Sequence, residues 1–445
     1  MNTQKNLTEG KIWYKLILYF LPIAAGTLFQ QLYNTADAII VGKFIGTEAL
    51  AAVGGSVSIL TNLLITVFVA LTNGCAVIIA QVFGAGKKDQ LSRGIGTAIS
   101  VSIIIGAAVT LFCELFSRNM LVMMSTPVNT LDDADIYLRI YFSASVIVML
   151  ANTLASILRA VGDSRSPFIF MVISCLANIA LDLIFIIVLK LGVAGAALAT
   201  IISQAVNMLL TLRCLLRKKE LFSISIKHLI PDSRLLPRML SIGLPAAMQG
   251  ILFGISNTML QTGVNILGTT VVAAWALSGK IDGFYWSTVN AAGSAVTNFV
   301  AQNYGAGRYD RIKETVHVSM KVFISITLCF TAFILLFARR LFVFFTDDAA
   351  VMAAAWEIVT YFVPYYFSWT VIEVLSGTMR GAGSAIIPTI VVAIGICLYR
   401  IIWIIFIFMP NPSVFTVSIC YPISWVITAA ALAVIYFRGR WLKKC

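Results

Sequence analysis

From Leu16 almost to its last residues, the chain alternates long apolar stretches with short polar breaks. Twelve stretches are long enough to cross a bilayer: 14–41, 50–80, 93–117, 135–160, 167–190, 193–215, 238–267, 270–301, 316–338, 355–379, 386–409 and 413–437. A span needs roughly 20 mostly apolar residues. Within the bilayer a helix satisfies its own backbone hydrogen bonds. The pattern therefore predicts an all-α polytopic membrane protein of about twelve transmembrane helices. The first stretch, Leu16 to Val41, is too long for a signal-peptide core and carries Asp37, so it is expected to remain as a span.

Composition agrees. Of 445 residues, 60% are hydrophobic and 11% charged, against about 25% charged in a soluble domain. Mean hydropathy is +0.94. The eight cysteines are scattered singly, without zinc or redox spacing, and read as small buried hydrophobes. The two histidines, His228 and His317, lie in polar segments, which argues against a histidine metal site. No enzyme is expected, because no clustered nucleophile, histidine or metal set is visible. No cofactor is expected either, and without a Walker motif ATP is not the energy source.

The net charge of +13 is a matter of placement. The N-terminal segment (Lys5, Lys11, Lys15), alternate loops (Lys87, Lys88, Arg93; Arg159, Arg165; Arg213 to Arg238; Arg308 to Lys321; Arg380) and the C-terminal segment (Arg438, Arg440, Lys443, Lys444) hold 24 Lys and Arg. The remaining loops hold five: Lys43, Arg118, Lys190, Arg339 and Arg340. Basic loops stay on the cytoplasmic side. Both termini are thus expected in the cytoplasm, in a multi-pass protein of the cytoplasmic membrane. The basic balance is a topology signal, and no nucleic acid partner is expected.

The chain also repeats itself. Ala80-Gln-Val-Phe-Gly-Ala-Gly-Lys-Lys-Asp-Gln-Leu91 matches Ala301-Gln-Asn-Tyr-Gly-Ala-Gly-Arg-Tyr-Asp-Arg-Ile312 at six of twelve positions, 221 residues apart. The same offset pairs Arg159 with Arg380, Gly162 with Gly383, Pro167 with Pro388 and Ser203 with Ser424. Near the start of each half the offset is 223, pairing Leu21-Pro22 with Leu244-Pro245 and Asn34-Thr35 with Asn257-Thr258. Three segments follow: an N-terminal six-helix lobe (1–215), a basic cytoplasmic linker (216–237) and a C-terminal six-helix lobe (238–445). Six spans per half make the repeat parallel. In such carriers the substrate site lies between the halves near the midplane, and access alternates. The repeat calls for no second chain, so a monomer is expected. The glycines of the Gly-Ala-Gly blocks are expected to turn the chain at span ends.

Ionisable groups inside spans are costly and mark function. Gln30, Tyr33, Asn34 and Asp37 share one helical face in the first span. A carboxyl there loses its water, which makes its charge costly until a proton or cation neutralises it. Asn178 and Asp182 lie one turn apart in the fifth span, and Thr200 in the sixth offers a hydroxyl. Two carboxylates can share a proton or hold sodium, and a Na+ at Asp37 and Asp182 is the sole metal expected. The counterpart of Asp37 in the second half is Leu260, which puts ion coupling in the first half. Asn257 on span 7, Asp282 beside Phe284, Tyr285 and Trp286, and Glu373 are expected to line the substrate cavity with Gln30, Tyr33 and Asn34. A structural ion pair is an equal reading for Asp282 and an alternative for Glu373. Arg139 and Arg400 read as structural or snorkelling groups.

The repeated Ala-Gln-x-x-Gly-Ala-Gly block, Leu21-Pro22 with Gln30-Gln31 and Asp37, and Gly192-Val-Ala-Gly-Ala-Ala-Leu-Ala-Thr200 resemble the multidrug and toxic compound extrusion (MATE) family over the whole chain, the DinF-like branch above all. The resemblance implies a two-lobed, twelve-helix fold and export of organic cations and other amphipathic drugs against proton or sodium entry. It also implies that Asp37, Asn178, Asp182 and Thr200 form the cation site of the N-terminal lobe, with a tyrosine from span 4, either Tyr137 or Tyr141. The sodium-type NorM branch places acids in the second half, and span 7 here has none. A lipid-linked saccharide flippase of the wider superfamily is the alternative. It calls for a basic central cavity, whereas the buried charges here are mostly acidic.

Overall fold

The computed structural model describes residues 6–46, 54–222, 226–439 and 441–442. Lys5, Arg440, Lys443 and Lys444, used above for orientation, lie outside the described residues, as does the start of the second predicted span. Every regular element among the described residues is helical. The first repeat contains α1 (Ile12–Phe44), α2 (Ser56–Gly84), α3 (Lys88–Met123), α4 (Val128–Ser143), α5 (Ser145–Ala160), α6 (Arg165–Asp182, continued by a π turn Leu183–Val188) and α7 (Gly192–Leu216). The second contains α8 (Leu235–Ile266), α9 (Thr269–Gly305), α10 (Tyr309–Phe342), α11 (Ala349–Phe362), α12 (Tyr366–Gly381), α13 (Ile386–Val392), α14 (Tyr399–Trp403) and α15 (Val414–Phe437). π turns at Ala393–Leu398 and Ile404–Phe408 flank α14.

Among the described residues, ten continuous stretches of helix are long and apolar enough to span a membrane, and α4 with α5 makes an eleventh, bent by 50°. The twelfth expected span is α9. It has the length, at 37 residues, but its Gly, Ser, Thr and Asn together with Lys280 and Asp282 make it less apolar. The bend between α4 and α5 frees the Phe142 carbonyl, which accepts from Thr110 Oγ1 at 2.8 Å and Ser145 Oγ at 2.7 Å. Nearby hydroxyls are how a membrane helix tolerates such a break.

The chain forms two compact units. One takes in residues 21–247 and the other 7–20 and 248–445, so the boundaries fall inside α1 and α8. Each is organised around its fourth span. In the first, α5 packs on α2, α3 and α7; in the second, α12 packs on α9, α10 and α15.

The repeat extends to backbone angles. Gly86 and Gly307 both have φ of 70°, and Gly162 and Gly383 have 88° and 89°. These are left-handed conformations that only glycine adopts freely. The glutamines of the repeated block also act alike. Gln302 Oε1 accepts the Leu7 backbone N–H just before α1, and Gln81 Oε1 accepts Arg238 Nη2 near the start of α8, each at 3.1 Å. Each glutamine thus holds the beginning of a first helix within its own unit.

Candidate functional site: opposed carboxyls in the first unit

Burial recurs every fourth residue along α6 and its π turn, at Ser174, Asn178, Asp182 and Ile186. This period aims both polar side chains into the unit. Asp182 is 0% exposed and immediately precedes the π turn, a helix irregularity frequent at functional sites. Asp37, from α1, comes within hydrogen-bonding range of it. Ionised carboxylates only accept, so the two can bond each other only through a proton between them, or be bridged by a cation. Neither oxygen of Asp182, nor Asp37 Oδ1, has a donor among the described residues. Asn178, also 0% exposed, has neither side-chain atom partnered there. Burying such groups unsatisfied costs on the order of 1–3 kcal/mol each.

Hydroxyls complete the surroundings. Tyr33 meets the Thr200 hydroxyl and lies in the field of both carboxyls, while Thr200 Oγ1 donates to the Ala196 carbonyl at 3.1 Å. Tyr137 and Tyr141 stack with planes 8° apart. Tyr137 is in the field of both Asp37 and Asp182, whereas Tyr141 lines the adjoining cavity. All four residues expected at the cation site are thus in one unit, around two opposed acids and a set of oxygen donors that suits a proton or a hard monovalent ion. No cluster of three acidic, histidine or cysteine ligands occurs among the described residues.

A cavity of about 240 Å³ adjoins this site. Gln30, Tyr33, Tyr141 and Asn178 line one part, and Arg159 and Ser164, at the α5–α6 turn, another. Gln30 and Tyr33 line this cavity of the first unit. The side chain of Asn34 lies outside the described residues.

In the second unit, the remaining predicted residues have protein partners. Tyr366 donates its hydroxyl to Asp282. Tyr285 stacks on Tyr366 at 3.8 Å and donates to its backbone carbonyl at 2.7 Å. Trp286, Trp369 and Trp425 pack around them. Glu373 pairs with Arg380 at 2.8 Å and lies against Gly293, where a Cβ would collide with it. Asn257 accepts from Arg400. Arg400 does not snorkel to an interface as one sequence reading allowed; it is 2% exposed. Sequence reasoning missed the hydroxyl and tryptophan cluster, whose signal was the aromatic density at Phe284-Tyr285-Trp286.

The MatE family profile matches residues 22–184 and 245–406, one segment in each repeat. The probable multidrug resistance protein YoeA of Bacillus subtilis is 27% identical over 396 residues, covering 87% of this chain and 85% of its own. The multidrug export protein MepA of Staphylococcus haemolyticus is 25% identical over 353 residues, covering 78% and 76%. The crystal structure of MATE in the straight conformation superposes with a TM-score of 0.90 at 24% identity, over 99% of this chain and 98% of that one. With its repeats matched in both halves and its spans, turns and fold agreeing, the chain belongs to the MATE family of multi-pass membrane transporters, which are not enzymes.

Proposed function

We propose that the protein is a secondary active exporter of amphipathic organic compounds, organic cations among them, driven by proton or sodium entry through the first unit. The observation that carries this reading is the opposition of the buried Asp182 and the half-buried Asp37, with no donor among the described residues to either Asp182 oxygen or to Asp37 Oδ1. Doubly ionised, they repel; neutralised by a proton or a sodium ion, they attract. One ion thus switches the local interaction between α1 and α6 from repulsive to attractive. That differential is what a coupling ion needs in order to bias two conformations. The adjoining cavity reaches Arg159, in the last turn of α5 at the end expected on the cytoplasmic side, and offers the ion a route of release there. One charge crossing 100 mV supplies roughly 2.3 kcal/mol.

The names of the relatives, multidrug resistance and multidrug export proteins, support the substrate class. On this reading the chain acts as a monomer in the cytoplasmic membrane with both termini inside. Its lobes are 1–215 and 238–445, and 216–237 links them.

The test is ethidium transport in proteoliposomes of defined orientation, with a proton or a sodium gradient imposed separately. Transport driven by one gradient and lost in Asp37→Asn supports the reading and identifies the ion. Equal movement without any gradient, or full coupling in Asp37→Asn, rejects it.

A further inference from the structure

The two repeats keep one inward-facing register but reverse its charge. On α6 the buried positions are Ser174, Asn178, Asp182 and Ile186; along α14 and its flanking π turns they are Ile396, Arg400, Ile404 and Phe408. Outward positions agree as well: Leu176 with Leu398, and Ile184 with Phe406, are exposed. This register is 222 residues, one more than relates Pro167 to Pro388. The π turn at Ala393–Leu398 takes up the extra residue, as an inserted residue in a helix does. Asn178 therefore corresponds to Arg400, and Asp182 to Ile404. Asp37 corresponds to Leu260, which shares an apolar cluster with Ile404. Thr200 corresponds to Tyr421. Where the first unit has two acids, the second has two aliphatic side chains and a guanidinium.

That guanidinium is incompletely satisfied. Nη1 donates to Asn257 Oδ1 at 3.3 Å, and the group lies 4.0 Å from the centroid of the Tyr421 ring. Its Nε has no acceptor, and no carboxylate lies within ion-pair distance among the described residues. Arginine does not deprotonate in proteins, so the charge persists, and a buried charge without a counter-charge is costly. A ring face and one amide oxygen offset only part of that cost. Asn257 itself is exposed, as are Thr258 and Gln261 on the same helix, so a polar surface of α8 leads to the guanidinium. Trp275 packs on Tyr421 and Trp403 on Tyr399, adding flat apolar area beside it.

We propose that Arg400, with Asn257 and Tyr421, forms an anion subsite in the second unit that takes the carboxylate of an aromatic, zwitterionic substrate. The Nε–H edge is the free donor; a guanidinium edge matches a carboxylate geometrically in a way an ammonium does not. This deepens the export reading by naming a substrate class, and rests on that reading only for its transport consequence. Binding alone tests it, without any ion gradient.

The experiment measures fluorescence anisotropy of two dyes on the purified full-length protein: a rhodamine with a free carboxylate, and its methyl ester. Arg400→Gln is expected to weaken the acid about tenfold or more, and the ester less than about twofold. Arg400→Lys keeps the charge without the fork and is expected between the two. Equal weakening of both dyes would assign Arg400 to folding alone and overturn the proposal. So would no weakening of either, or failure of the native protein to bind the acid more tightly than the ester. Competition by chloride with no preference between the dyes would assign the site to a small inorganic anion and overturn it too. If Arg400→Gln does not fold, the Arg400→Lys pair of affinities decides on the same criteria.

Discussion

Lys218 Nζ lies 2.7 Å from Asp163 Oδ2, with both side chains largely buried. The pair ties the segment that follows α7 to the turn between α5 and α6. Asp163 also accepts from the Ser166 backbone N–H at 3.1 Å and from its hydroxyl at 2.9 Å. Burial alone would push this carboxyl up, but Lys218 and Ser166 outweigh it and hold it below the usual range. A depressed folded value contributes stability above the ordinary aspartate range, near 4, that is lost as pH falls through the folded value.

Asp163→Asn is therefore expected to lower stability by about 3 kcal/mol or more at neutral pH, since it leaves a buried ammonium without its counter-charge. Thermal melts in detergent between neutral and acidic pH check it. The gap between native and variant should narrow as pH drops below about 4. A constant gap would assign the loss to packing.

Asp182→Asn places an amide donor opposite Asp37, imitating the protonated pair. It is expected to melt no lower than the native protein, yet to transport with at least about tenfold lower rate, because one partner no longer exchanges an ion. Parallel melting curves and gradient-driven dye transport test the two halves of this statement. A variant that is unstable as well as inactive would make Asp182 a packing residue.

Gly74 lies against the backbone of α8. A Cβ there would meet Gly243 N and the Met239 carbonyl oxygen at 2.6 Å each, and neither can rotate away. Gly74→Ala should cost about 1–3 kcal/mol through overpacking. Gly279→Ala meets nothing within 4 Å and should be neutral or stabilising by up to about 1 kcal/mol from helix propensity. Size-exclusion profiles after a temperature ramp rank the two.

Gln302→Ala removes the acceptor of the Leu7 N–H, and Gln81→Ala that of Arg238. Each is expected to destabilise by about 1–2 kcal/mol. Gln302→Ala should in addition speed proteolysis of the segment before α1. Limited digestion followed by mass measurement of the N-terminus tests this, and unchanged digestion in Gln302→Ala would mean that other contacts hold Leu7.

Much of this molecule was legible from sequence because a bilayer judges residues locally. Twenty apolar positions in a row must span, and an aspartate among them must point away from lipid, so the helices and the two intramembrane aspartates, Asp37 and Asp182, could be singled out one stretch at a time. The repeat was legible for a related reason. Its turns need glycine at left-handed positions such as Gly86 and Gly307, and no other residue replaces it freely.

Tertiary structure alone decided which groups meet. Asp37 and Asp182 oppose each other from helices far apart in the chain, Glu373 takes Arg380 as its partner, and Arg400 turns inward with no acid paired to it among the described residues. The register on α14 was also beyond the sequence. A π turn is a choice of backbone hydrogen-bond partner made under packing, and no residue type announces it. That choice, at Ala393–Leu398, moves the repeat by one residue and brings Arg400 rather than Tyr399 into the place that Asn178 holds in the first unit.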